Sequence, residues 1–168
     1  FGPSGSISLL SGNSTGASAG GIDIIAGTSS GPKAGAVLIS AGTSSAEGAL
    51  GGELVMTSGV SQLGDAGSVS IEGSASRENS GGIVLSAGNS EVGSAGNVSI
   101  SAGSNSGPLG GGRVLVEGGS GDTGGHIVVS SGQGLDESSG SVLVTSASSL
   151  AASSGQTQVS TASAVSSS

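Results

Sequence analysis

The segment Gly5-Ser6-Ile7-Ser8-Leu9-Leu10-Ser11-Gly12 returns as Gly20-Gly21-Ile22-Asp23-Ile24-Ile25-Ala26-Gly27 and again as Gly35-Ala36-Val37-Leu38-Ile39-Ser40-Ala41-Gly42. With the first glycine as marker, repeats begin at Gly5, Gly20, Gly35, Gly52, Gly67, Gly81, Gly96, Gly112, Gly125, Gly140 and Gly155. These are eleven repeats with a mean spacing of 15 residues and individual steps of 13 to 17. A fixed period of this length marks a repeat array, so residues 1–168 read as one array.

Within each repeat the third and fifth positions carry the large apolar residues, as in Ile22/Ile24, Val69/Ile71, Ile83/Leu85 and Val142/Val144. The seventh position is always small: Ser11, Ala26, Ala41, Ser58, Gly73, Ala87, Ala102, Gly118, Ser131, Ser146 and Thr161. The eighth is glycine in eight of the eleven repeats. A spacing of two among β-branched residues is a strand signal, and it places positions three, five and seven on one face. The rest of each repeat is Ser, Gly, Asn, Ala and Thr, and all variation in length falls there, as insertions in loops do.

A lone strand of this kind cannot bury its apolar pair, whereas stacked identical turns can. The expected fold is therefore all-β: a parallel β-solenoid, or β-helix, of about eleven 15-residue turns. Third and fifth positions would form two inner ladders, and glycine at the corners would supply positive φ. In that arrangement Ile83→Asp buries an unpaired charge at a cost of several kcal/mol. An open solenoid also needs its ends covered. Only Phe1 and Pro3 suggest an N-terminal plug, and the last repeat weakens to Thr157/Val159 before the closing serines at 166–168. Further repeats, a cap or a neighbouring subunit are expected at the ends. The chain also starts at Phe1 without a visible signal peptide, so it reads as a segment of a longer protein or assembly.

Composition narrows the class. Glycine supplies 36 of 168 residues, Phe1 is the only aromatic, and there is no cysteine. A globular core of large side chains is excluded, and so are a disulfide framework and a thiolate metal site. A mean hydropathy of +0.25 argues against a merely solvated linker. Three basic residues against eleven acidic ones, a net charge of −8, leave no footprint for nucleic acid or an anionic membrane. No apolar run approaches the ~20 residues of a membrane span, so no membrane insertion is expected.

The motif Gly-x-Ile-x-Ile-x-Ala-Gly with its Ser/Gly-rich connection resembles the tandem repeats of very large surface proteins in diatoms and related algae. More loosely, it is similar to bacterial adhesin and filament solenoids. The resemblance covers residues 5–162 and implies an extracellular or cell-surface location and a structural or adhesive role. It carries over no catalytic residue.

No catalytic, cofactor or metal site is expected from the residues. His126 is the only histidine and stands at an outward second position, without the partners that a triad or a metal site requires. Gly118-Gly119-Ser120-Gly121-Asp122-Thr123-Gly124-Gly125 approximates a calcium-binding nonapeptide, but Asp122 is one residue early and no second copy follows. The eleven carboxylates share no phase and read as solubilising charge. Ser14, Ser29, Ser44, Ser61, Ser76 and Ser90 do share one phase, continued by Asn105, Gly121, Gly134 and Ser149. They read either as a hydrogen-bonded corner ladder or as a flat hydroxyl face for ice or glycan. Asn13-Ser14-Thr15 and Asn97-Val98-Ser99 are glycosylation sequons, of which Asn13, in a loop, is the more accessible.

The fourth position, expected to face solvent, holds Leu38, Val55, Val84, Leu115, Val128 and Leu143, which read as a broken apolar stripe for lateral contact. The functional expectation is a non-enzymatic extracellular structural or adhesive rod or filament module that self-associates end to end, laterally, or both. Its counterpart from another class is an ice- or polysaccharide-binding surface protein that uses a flat solenoid face.

Overall fold

Each of the first ten repeats contains an apolar segment, and the connection that follows it bends sharply. In the computed structural model, which describes Gly2 and residues 4–162, a bend or turn follows each shared-phase serine within two residues. The bends cover residues 15–17 after Ser14, 62–64 after Ser61, 77–79 after Ser76 and 91–93 after Ser90. The cause is local. The Ala17 N–H donates to Ser14 Oγ at 3.0 Å, and Gly31 N–H donates to Ser29 Oγ at 2.9 Å. Gly64 and Gly93 donate in the same way to Ser61 and Ser90, both at 2.9 Å, and Ala152 to Ser149 at 3.0 Å. Asn105 takes the serine's part by accepting from Gly107 through Oδ1 at 2.6 Å. A short side-chain oxygen that captures an amide two or three residues on is a standard way to turn a chain.

The bent connections close on themselves. The chain divides into two units, Phe1–Val84 and Leu85–Ser168. In the first, the N–H of a marker glycine donates to the eighth-position carbonyl of the preceding repeat at four places: Gly35 to Gly27 at 3.3 Å, Gly52 to Gly42 at 2.8 Å, Gly67 to Gly59 at 2.9 Å and Gly81 to Ser74 at 3.0 Å. The second unit has four such necks of its own, Gly96 to Gly88, Gly112 to Gly103, Gly125 to Gly119 and Gly140 to Gly132, at 2.8–3.0 Å. Every connection so bridged is a loop pinched at its base by a single bond.

This geometry overturns the expected β-solenoid. Among the described residues there is no helix and no β-strand, hence no sheet, no inner ladder and no stacked turn. A parallel solenoid must bring the chain back so that position one of each repeat lies over position one of the last. An eight-residue extended segment is roughly 25 Å long, so the return must cover a comparable distance. The serine-turned connections do the opposite and set position one beside position eight. One bond forms at each neck and no ladder continues from it. Apart from the necks, the one other backbone bond of this kind among the described residues closes the turn from Ala46 to Ala49, inside the longest loop.

The glycines act differently from expectation as well. Only Gly48 has a positive φ, at 69°, and it sits third in that Ala46–Ala49 turn, where a type II turn requires it. The marker glycines are needed for close approach instead. A Cβ on Gly52 would lie 3.0 Å from the Gly42 nitrogen, and one on Gly125 would lie 2.9 Å from the Gly119 nitrogen. Phe1 and Pro3, proposed as a plug, and residues 166–168, where the last repeat weakens, lie outside the described residues.

No described apolar residue is buried. Among the described residues, Ala26, Ala87 and Gly134 are the most screened. The two alanines are seventh-position residues packed at necks, with their Cβ atoms 3.1 and 3.2 Å from where a Cβ on Gly35 or Gly96 would stand. The accessible surface totals 16855 Å². A compact 15.2 kDa monomer would show about 7,100 Å² and a fully extended chain about 22,000 Å². The accessible surface is therefore nearer the value for an extended chain.

Candidate functional site

The feature that recurs along the described residues is an exposed apolar segment. The alternation read from the sequence survives as a difference in exposure. From the second repeat to the tenth, third-position side chains are 47–58% exposed and fifth-position ones 60–73%. Ile7, at the third position of the first repeat, is fully exposed. The Ser70 hydroxyl donates to Glu72 Oε1 at 2.6 Å, which puts the fourth and sixth positions of that repeat on one side, as extended backbone does.

The residues expected to make lateral contact, Leu38, Val55, Val84, Leu115, Val128 and Leu143, are all exposed. With no sheet to align them, they do not form the stripe that a solenoid would have made. Each stands within its own segment, beside the exposed third and fifth positions. In the tenth repeat Val142, Leu143 and Val144 are 52, 82 and 71% exposed, so apolar surface faces both sides of the backbone.

The necks show a pattern that sequence reading passed over. Position seven is glycine only at Gly73 and Gly118, and these stand at the bases of the two shortest bonded loops, Ser74 to Gly81 and Gly119 to Gly125. A Cβ on Gly73 would collide with the Gly81 carbonyl oxygen, and one on Gly118 with that of Gly125. Longer loops leave room for Ala or Ser. The covariation of loop length with residue seven was visible in the sequence, but its meaning required the neck.

The remaining candidates stay apart. His126 is exposed, as are all eleven carboxylates. No three His, Asp or Glu residues among those described come together to hold a metal, and the described residues form no pocket. Asp122 lies in the bend of its loop. The Oγ atoms of Ser14, Ser29, Ser61, Ser90 and Ser149 accept from their own loops, and with no strand among the described residues there is no flat solenoid face to carry them. Asn13 and Asn97 are both exposed, and Asn97 does not lie in a strand. No helix is long and apolar enough to cross a membrane. The chain matches no protein-family description, no curated protein and no solved structure.

Proposed function

We propose that the chain is a non-enzymatic structural or adhesive repeat module of the extracellular space or cell surface. The observation that carries this reading is the repetition, ten times over, of an apolar pair that the chain itself leaves about half exposed or more. An apolar residue in contact with water contributes roughly 25 cal/mol per Å² when it is later buried. A surface that offers such residues at regular intervals binds through many weak, equivalent contacts, and the total grows with the number of repeats. The solubilising charge of −8 is concentrated in the loops, at Glu47, Asp65, Glu78, Glu91, Asp122, Asp136 and Glu137, which leaves most segments free for contact. The extracellular placement rests on the resemblance of the repeat to algal surface proteins.

The test is retention of the full chain on alkyl-coated silica and on cellulose particles, beside its assembly in solution. Retention on at least one surface is expected, falling step by step as the third- and fifth-position residues of successive repeats are changed to serine. A chain that is neither retained nor assembled would overturn the proposal. Loss of all retention on altering a single repeat would point instead to one localised site.

A further inference from the structure

We infer that segments 125–132 and 140–147 are covered by the same segments of a second copy of this chain, paired through their backbones. The inference rests on the structural-module reading above and names the partner.

Two demands are unmet in these segments. Their interior N–H and C=O groups, from position two to position seven, have no backbone partner among the described residues. Their apolar triplets, Ile127-Val128-Val129 and Val142-Leu143-Val144, are exposed on both sides of the backbone. A partner that supplies only apolar surface meets the second demand and leaves the first. A second extended segment meets both, because strand pairing joins the backbones while the side chains pack across.

Charge and size select the second copy. Neither segment contains Asp, Glu, Lys or Arg; His126 is the only ionisable side chain in them. Identical segments therefore pair without setting like carboxylates opposite one another, which would be destabilising. Asp122, Asp136 and Glu137 lie in the flanking loops, outside the pair. Both segments are short, β-branched, uncharged and free of proline, the composition of segments that pair with their own kind. The spacing from Gly125 to Gly140 is the same in both copies, so seating one segment brings the other into register. With 16855 Å² over 168 residues, each residue exposes about 100 Å². Covering one side of these two segments removes roughly 800 Å² from each partner, the size of a standard specific interface.

The experiment follows the full chain by sedimentation velocity and amide I infrared spectroscopy from micromolar to millimolar concentration. Wild type should pass from monomer to oligomer, with an intermolecular β band rising in step. In the double variant Val128→Pro, Leu143→Pro each proline removes a backbone donor from the pairing. Neither position carries a ladder bond or a buried contact in the single chain, so the variant monomer is not expected to be disrupted. Its association midpoint should move to at least tenfold higher concentration. Val128→Ser, Leu143→Ser keeps the donors and should shift it less. Association of the proline variant at the wild-type midpoint, or association without the β band, overturns the inference. A wild-type chain that stays monomeric at every concentration overturns it too. If that monomer is still held on alkyl-coated silica, the module reading stands without the inference; if it is held nowhere, both fall.

Discussion

Gly118 shows how a single hydrogen atom in place of a methyl group decides a local structure. The loop from Gly119 to Gly125 is the shortest of those closed by a backbone bond, and a methyl group on Gly118 would meet the Gly125 carbonyl. Gly118→Ala is therefore expected to open this neck, with a loss of about 1 kcal/mol, the net contribution of one hydrogen bond. Gly132→Ala, where nothing lies within 4 Å of the new Cβ, should leave its neck closed. Amide exchange at Gly125 and Gly140 by NMR would report each case, faster at Gly125 and unchanged at Gly140. The serine turns allow a similar comparison. Ser90→Ala removes the acceptor of the Gly93 N–H and should expose that amide, at a cost of about 0.5–1 kcal/mol. Ser90→Asn should retain the bend, because Asn105 holds the equivalent one through Oδ1. An unchanged Gly93 amide shift in Ser90→Ala would contradict the assignment.

At the scale of the element, the repeat is an extended segment followed by a loop tied at its base, and its apolar pair is only half screened. This changes the expected cost of a charge on the inner face. A solenoid would make Ile83→Asp cost several kcal/mol, but Ile83 is 51% exposed and has no core to disturb. The same substitution should now cost no more than Ser99→Asp, under about 1 kcal/mol, since both carboxylates stay in water. Urea titration of both variants, followed by far-ultraviolet circular dichroism in dilute solution, should give overlapping curves. A selective effect of Ile83→Asp would mean that the pair is buried. Several features of the repeat were readable from the residues: the phase of the pair, the loop boundaries and the turn-forming serines. Each depends on interactions within about four residues, such as Ser14 with Ala17 or Asn105 with Gly107. The closure of Gly35 on Gly27 was not readable, because it depends on the path of the whole connection between them.

For the whole molecule, an accessible surface of 16855 Å² leaves little apolar area to be newly exposed by heating. The heat-capacity change of unfolding scales with that area, and cooperativity depends on a shared core. Scanning calorimetry of the dilute, monomeric chain should show no cooperative transition. A transition that appears only as concentration rises would belong to association. A sharp, concentration-independent endotherm would be incompatible with the exposure of every large apolar residue described.

The amino-acid sequence by itself determined the period, the alternation at positions three and five, the small residue at position seven and the bends that follow Ser14, Ser61 and Ser90. All of these arise from neighbouring atoms along the chain. Whether successive repeats stack was decided only by the tertiary structure. A 15-residue repeat with an extended apolar segment is equally compatible with a loop that carries the chain back over its own start and with one that pinches shut. The serine turns draw the connection inward, and the bond from marker glycine to eighth-position carbonyl closes it. Position one then lies beside position eight, no ladder can propagate, and the apolar pairs stay in solvent.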